Sequence, residues 1–415
     1  MRIAVFTDLY LEVPGGIPSS ISAQKKELEK LGHEVTIFCP GFSKPEEKNV
    51  VILPTTKHLK INGAPCARRP KIIVKFIEKK YPSFSKDFDL IHVHYEAGAS
   101  IAAILIAKKY HMPLVQTMHG REDMAIAVNV PHPFKTIAGS TLNTLHKCYL
   151  KTVIKQEKIK KDNYLAPTIA RKKMWELMAR EANCADQVIT PSQHFANKLK
   201  HYGVRKPITA VSNGVEDKIA NSYDWKIRSL KNGSNEPLRI IWTSRLSREK
   251  RILPFLESLK IVKETTNQFF FTAVGDGNDF DDAKEYVENN NLSKNVKFLG
   301  AVPHETVLDL LKNEHLSIIN SYGFDTQGLT ILEAGAVGLP VIYCDKDMDQ
   351  VVLKEAGIRA DDETPEKMAE LIIKIINTPE LIEKMSKAAM KNREQVLQST
   401  QIKNLLSVYN KALKK

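Results

Sequence analysis

The stretch GFDTQGLTILEAGAVGLPVI, Gly323 to Ile342, decides the fold. Its apolar residues Leu329, Ile331, Leu332, Ala336 and Val337 have the spacing of a helix packed on a sheet. Gly338-Leu339-Pro340 ends that helix, and Val341-Ile342-Tyr343 starts a buried strand. Gly328 therefore sits where a loop becomes a helix.

Outward from this stretch the same alternation recurs. In the first half, Arg2–Phe6, His33–Phe38, Leu90–His94, Pro113–Thr117, Val188–Ser192 and Ile208–Val211 read as strands, with helical spacing between them, as from Ser19 to Leu31. Alternating strand and helix predicts a parallel, doubly wound sheet. The pattern breaks near Asn213-Gly214 and at the polar stretch 232–237, then restarts with strands at Leu238–Thr243, Gln268–Val274, Val296–Leu299, Leu316–Ile319 and Val341–Tyr343. The expectation is an α/β protein with two doubly wound Rossmann-like domains, residues 1–215 and 236–395, facing a central cleft. The segment 396–415 ends in a basic amphipathic helix expected to return to the first domain. Ligands on such sheets bind beyond the C-terminal ends of the strands.

A chain of 415 residues exceeds one ordinary core, and 43% hydrophobic with 26% charged residues is a globular composition. Cys39, Cys66, Cys148, Cys184 and Cys344 are odd in number and lack metal-site spacing, which points to a reducing cytoplasm. Met1 to Phe6 reads as a first strand, not as a secretory signal. The longest apolar run, Gly98 to Ala107, is about half of what spans a bilayer, so a soluble or membrane-surface protein is expected. The net charge of +13 is concentrated. Arg68 to Lys86 holds seven Lys or Arg and one acid, and Lys135 to Arg180 holds eleven and three. Such segments suit anionic lipid, nucleic acid, an acidic substrate, or plain solvated helix faces.

The chemistry-bearing residues cluster at predicted strand ends. A helix opening after Gly328 offers unpaired N–H groups and a positive dipole end to a phosphate. Asp325 and Glu333 lie on either side of it, and a ligand with hydroxyls on both sides of a phosphate is a nucleotide sugar. Arg245 leaves a strand end and Lys250 follows within a turn, a fork and a point charge for a diphosphate. The alternative is an ordinary basic helix start, which the dipole disfavours. Gly275-Asp276-Gly277 is either a plain turn or a backbone approach to a ring or phosphate. Gly15 and Gly16, after Pro14, are a plain turn or a close approach to ligand. His119 sits at a strand end before Gly120, positioned for a ligand hydroxyl or phosphate. His92 and His94 share one face of a strand and read as packing or orienting residues. Asp345, Asp347 and Asp349 resemble a metal loop but lack the glycine and distal glutamate of a calcium hand.

Taken together, these residues resemble retaining GT-B glycosyltransferases of family 4. The quoted motifs run from Arg2 to about Tyr343: Gly15-Gly16, His119, Asn213-Gly214-Val215, the Arg245/Lys250 pair, Gly275-Asp276-Gly277 and the two acids flanking Gly328. Asp325 stands where the family usually has Glu, and Gln327 where it usually has Phe. Thr326-Gln327-Gly328-Leu329-Thr330 and the strand end His92-Val93-His94-Tyr95-Glu96 look like the diacylglycerol glucosyltransferase branch. The resemblance implies a hexose, glucose above all, moved from a UDP-sugar to a membrane lipid such as diacylglycerol. It implies that Glu333 binds the ribose, that Asp325 holds hexose hydroxyls, and that Arg245, Lys250 and the N–H groups after Gly328 neutralise the diphosphate. His119 would contact the hexose, Gly15-Gly16 would close over the ligands, and neither metal nor other cofactor would be needed. Asp is shorter than Glu by one carbon–carbon bond, about 1.5 Å, which bears on the choice of hexose.

Transfer would proceed with retention, by front-face displacement or by double displacement on a carboxylate, with Glu96 and Glu122 the candidates for the latter. For a lipid acceptor the enzyme would sit on the inner face of the cell membrane. Lys71, Lys75 and Lys79, with Arg68, Arg69 and Lys80, line a helix that also carries Ile72, Ile73, Phe76 and Ile77, and this predicts a basic amphipathic helix on anionic lipid. The rival readings are a transferase acting on a cell-wall, polysaccharide or other acceptor, a sugar-nucleotide epimerase, and a non-catalytic anion or nucleic-acid binder. The basic segments lack interleaved aromatics and a reading motif, so no nucleic-acid partner is expected.

Overall fold

Runs rich in Val, Ile and Phe fold as short strands of two parallel sheets, where β-branched and aromatic side chains pack well on a pleated surface. The computed structural model describes residues 1–9, 15–41, 48–61, 64–154, 166–221, 224–231, 233 and 236–414. Pro14 and the linker positions 232, 234 and 235 lie outside the described residues. The chain divides into two units, Met1–Asn213 with Gln401–Lys415, and Gly214–Thr400.

The first unit holds β1 (Arg2–Thr7), β2 (Glu34–Pro40), β3 (Val50–Leu53), the paired β4 (Thr55–Ile61) and β5 (Ala64–Ala67), β6 (Leu90–His94), β7 (Leu114–Thr117), β8 (Gln187–Thr190) and β9 (Ile208–Ala210). Seven of these form one sheet in the order β3-β2-β1-β6-β7-β8-β9, every pair parallel. β1 lies between β2 and β6, with Ile3 opposite both Val35 and Leu90. Helices cover both faces, which is why β1 and β6 are buried almost end to end. On one face Phe6 stacks on Phe38 with ring centroids 4.6 Å apart. On the other, Ile402, Leu405, Val408 and Tyr409 of the last helix, Gln398–Leu413, join Ile3, Val5 and Val115.

The second unit holds β10 (Leu238–Thr243), β11 (Phe269–Val274), β12 (Val296–Gly300), β13 (Leu316–Ile319), β14 (Val341–Tyr343) and β15 (Gly357–Arg359). They pair in parallel in the order β12-β11-β10-β13-β14-β15. The segment before β10 belongs to this unit, since Val215, Ile219 and Trp225 are buried with Ile331 and Leu332.

Each sheet has one place where the strand order reverses, β1 beside β6 in the first and β10 beside β13 in the second. Crevices at the C-terminal ends of such strand pairs take ligands. Both places hold a non-glycine residue in the left-handed region, Tyr95 after β6 (φ 81°) and Arg251 after β10 (φ 62°).

The helix Pro70–Lys80 corrects one expectation. Ile73 and Ile77 are fully buried in the unit's own core, against the helix Gly98–Tyr110. Those two side chains are therefore not offered to a lipid surface, whereas Ile72 is exposed and Phe76 half-buried. Arg68, Arg69, Lys71, Lys75, Lys79 and Lys80 are exposed, so this helix presents charge. Among the described residues no helix is long and apolar enough to cross a membrane.

Candidate active site

The reversal in the second sheet brings together the residues that follow β10 and β13. Ser247 to Lys250 form a tight turn before the helix Ile252–Thr265, and that turn carries Lys250 across to the loop after β13. Lys250 Nζ lies 2.6 Å from Asp325 Oδ1 and 5.3 Å from the centre of the Phe324 ring. Ser321 donates its hydroxyl to the other Asp325 oxygen. Burial pushes the Asp325 carboxyl up, but Lys250, Ser321 and the Arg245 charge outweigh it and hold the group below the usual carboxylate range. Arg245 pairs with Glu249 at 3.2 Å and keeps its side chain 68% exposed, ready to meet a ligand.

The backbone around this pair is pinned. Asn320 Nδ2 donates to the Arg251 carbonyl at 3.0 Å, and Arg251 Nη2 donates to the Glu363 carbonyl at 2.6 Å. These bonds hold Arg251 in its left-handed conformation, which is costly for a side chain of that size. Asp345 accepts from the N–H of Gly323 at 2.7 Å and of Asp347 at 2.9 Å, and Asp349 meets Tyr343 and Arg359, each at 3.0 Å. Two carboxylates of the apparent metal loop, those of Asp345 and Asp349, are thus spent on the chain itself. Among the described residues there is no group of three or more His, Cys, Asp or Glu that could hold a metal ion.

Gly328, at φ 77°, is the N-cap of the helix Leu329–Ala336 and has no side chain with which to cap it. The first N–H groups, at Leu329 and Thr330, open a site for negative charge. Gln327 beside them is buried. Glu333, on the next turn, is held 3.0 Å from His304 Nε2. The hydrogen bond to Glu333 raises the His304 pKa above its usual value against a smaller opposing effect of burial. Gly275, at φ 135°, and Gly277 have a steric origin. A Cβ at Gly275 would stand 2.1 Å from the Ser244 carbonyl oxygen, and one at Gly277 2.2 Å from that of Leu246. The loop after β11 is glycine-rich because it lies on the backbone after β10, not because a ligand is shown to approach it. Asp276 accepts from the Gly277 N–H at 2.7 Å.

The corresponding place in the first unit is built differently. Asp8, after β1, accepts from the N–H of Ala99 at 3.0 Å and of Ser100 at 3.4 Å, at the start of the helix Gly98–Tyr110. Here the chain's own carboxylate occupies the anion position at the helix start. His119, two residues past β7, is buried and 2.7 Å from His94, which lies 3.2 Å from His92, itself 2.7 Å from the Tyr409 hydroxyl. Burial lowers His119 to about 4 and, with a smaller effect of His119, His92 to about 3, so both rings are neutral at pH 7. Beside them burial, then Asp123, lifts Glu122 to about 7, and both oxygens of Glu96 are buried without a hydrogen-bond partner. Burial and then the Glu122 charge drive Glu96 well above the usual range. Gly15 and Gly16 open the helix Gly16–Lys30, and a Cβ at Gly15 would meet only Pro18, at 4.0 Å.

Of the residues singled out in the sequence, Arg245, Lys250 and Asp325 converge in the second unit, where Gly328 and Glu333 share one short helix start. His119 belongs to a separate buried network in the first. Sequence reasoning missed His304, Ser321 and Phe324 around the acids, and Asp8 and Tyr409 in the first unit. Except for Ser321, four residues before Asp325, their partners are distant in the chain, and Pro303-His304 ahead of a helical run carried a local cue.

Comparison with known proteins adds a second line of observation. Residues 14–218 match the family model described as Glycosyltransferase Family 4, and residues 225–392 match Glycosyl transferases group 1. The chain is 25% identical over 400 residues to the alpha-monoglucosyldiacylglycerol synthase of Acholeplasma laidlawii, spanning 94% of this chain and 92% of that one. It is 26% identical over 352 residues to the protein of the same name from Streptococcus pneumoniae, spanning 82% and 70%. Among solved structures, Anabaena HepE in complex with UDP shares the fold, with a TM-score of 0.67 at 15% identity over 99% of this chain and 100% of that one.

Proposed function

The chain belongs to the family 4 glycosyltransferases of GT-B fold, and from that premise we propose that it moves a hexose, glucose, from a UDP-sugar to the hydroxyl of diacylglycerol at the inner face of the cell membrane. The observation that carries the donor half is the convergence of Arg245, Lys250 and Asp325 ahead of the helix that starts after Gly328. The acceptor half is supported by the two relatives that make glucosyldiacylglycerol by name, and the UDP donor by the UDP complex of the structural neighbour.

In this reading the diphosphate takes Lys250 as a point charge, Arg245 as a fork, and the N–H groups of Leu329 and Thr330 as hydrogen-bond donors. These groups stabilise the charge that develops as the glycosidic bond breaks, the dominant kind of catalysis for a leaving group of this type. Asp325 holds hexose hydroxyls and also tethers Lys250, while Glu333 accepts from the ribose. The two cations do the neutralising that a divalent ion would otherwise do, so transfer needs no metal. His119, a neutral ring, is the hydrogen-bond partner proposed for the hexose. A nucleophile must be ionised, and burial holds Glu96 and Glu122 toward the protonated form. This favours front-face displacement over double displacement on either of them.

The test is a matrix of radiolabelled UDP-glucose, UDP-galactose and UDP-N-acetylglucosamine against diacylglycerol, polyprenyl phosphate and a soluble polysaccharide, in EDTA. The expected product is α-glucosyl diacylglycerol. Label in the polysaccharide alone would replace the lipid acceptor, and label in none would leave an anion binder.

A further inference from the structure

The helix Lys135–Leu150 is built inside out. Toward the protein it turns, apart from Leu150 at its end, small and polar residues. A Cβ on Gly139 would meet the Ala170 backbone at 3.2 Å, Asn143 donates to Glu176 at 2.8 Å, and His146 lies 3.6 Å from Glu181. Toward the outside it turns its large apolar ones. Phe134, Ile137, Leu142 and Leu145 are 59%, 64%, 46% and 49% exposed, and Ile169, beside the Gly139–Ala170 contact, is 60% exposed. Ile137, Thr141, Leu145 and Cys148 follow one another on a single outward face. A helix of a water-facing surface has the reverse arrangement, and a contiguous apolar face of this kind marks an interaction site.

Charge identifies the occupant. Residues 131–154 contain Lys135, Lys147 and Lys151 and no Asp or Glu. On the neighbouring helices, Asp123 and Glu176 are already engaged by cations. Asp123 is 2.7 Å from Arg121 and 2.8 Å from Arg171, and Glu176 is 2.9 Å from Lys173. An apolar face with a cationic rim and no anion complements a bilayer carrying negative headgroups. It does not complement itself, because a second copy brings the same positive rim. The helix Pro70–Lys80 offers less for insertion, since Ile73 and Ile77 are buried and Ile72 alone of its large apolar side chains is exposed, though its exposed lysines add long-range attraction. Both helices pack on the helix Gly98–Tyr110.

We propose that the outward face of the helix Lys135–Leu150, with Phe134, Ile137, Leu142, Leu145 and Ile169, inserts into the headgroup boundary of an anionic bilayer and so docks the first unit on the membrane. This rests on the proposed lipid acceptor, for which it supplies the route, and it moves the apolar anchor away from the helix that the sequence singles out.

The experiment is flotation of the full chain with vesicles of phosphatidylcholine alone or with phosphatidylglycerol. Wild type floats with the anionic vesicles. The pair Ile137→Ser and Leu145→Ser lowers the bound fraction at least about ten-fold, because two large side chains leave the apolar phase. Its melting curve and its turnover of a water-soluble short-chain diacylglycerol stay at the wild-type level and verify the fold. As a second readout, Ile137→Trp shifts its emission to the blue on anionic vesicles and is quenched by brominated acyl chains. Unchanged flotation of the serine pair with no spectral shift overturns the proposal. So does a dimer in light scattering that the serine pair dissolves. Glucosylation of diacylglycerol with flotation indifferent to the pair removes this proposal and leaves the function standing. Flotation that depends on the pair, in a protein that glycosylates no lipid, does the reverse.

Discussion

Lys250 and Asp325 stand 2.6 Å apart across the place where the second sheet reverses, with side chains only 16% and 11% exposed. Neither is free to ignore the other. The lysine keeps the carboxylate ionised in a partly dry site, and the carboxylate holds the lysine in the loop before Gly328.

This pairing separates stability from chemistry. Lys250→Ala leaves Asp325 without its cation, and removal of one member of such a pair costs about 3 kcal/mol when the other stays buried. Lys250→Met with Asp325→Leu recovers most of that stability in urea titrations. Neither variant recovers transfer, which falls about 10²- to 10³-fold with the loss of one stabilising group at the leaving diphosphate.

His304 holds Glu333 at 3.0 Å and would compete with the proposed ribose for it. The hydrogen bond to Glu333 raises the folded His304 pKa above its unfolded value, so the stability contributed by this pair is fully present below the usual histidine pKa and is lost as pH rises through the folded one. UDP affinity runs the other way. Titration calorimetry should show tighter binding at pH 8 than at pH 6, and His304→Gln should flatten that difference.

Glu122 gives the opposite kind of test in the first unit. Its pKa is about 7 in the fold, raised by burial and by Asp123, against an ordinary value of 4.5. A raised carboxyl costs nothing while protonated and progressively destabilises as pH climbs from the unfolded value through the folded one. Glu122→Gln should therefore gain about 3 kcal/mol over wild type at pH 8, by the linkage between pKa and stability. The gain should vanish below about pH 4.5, where both side chains are neutral. Melting curves at the two pH values check it.

Gly275 and Gly328 both have positive φ but differ in surroundings. Gly275→Ala drives a methyl to 2.1 Å from the Ser244 carbonyl oxygen and should cost on the order of 4 kcal/mol. At Gly328 the nearest atom would be the Ile331 Cδ1 at 3.4 Å, so Gly328→Ala costs only the left-handed backbone, about 1 to 2 kcal/mol. Chemical denaturation separates the two.

What the sequence reveals here is local. The apolar run of Val341-Ile342-Tyr343, the glycine before Leu329 and the basic residues after Thr243 each report on their own few residues, and together they yield strands, a helix start and residues at strand ends. Lys250 and Asp325 were legible because both follow strands, although nothing local says that those strands are neighbours. Tyr409 bonds to His92 across 317 positions and left no trace in either segment. The direction of an amphipathic helix was equally hidden. Periodicity shows that Ile73 and Ile77 share a face, but only packing shows that this face turns inward while Ile137 and Leu145 turn outward. The glycines at 275 and 277 invite a ligand explanation until the Ser244–Leu246 backbone is seen against them.

In the proposed function, one site in the second unit reads a diphosphate with Lys250 and a ribose with Glu333. The most direct measurement is titration calorimetry of UDP and of uridine into wild type, Lys250→Ala and Glu333→Ala. The account predicts that Lys250→Ala weakens UDP but not uridine, and that Glu333→Ala weakens both. Equal binding of UDP by all three proteins would contradict it.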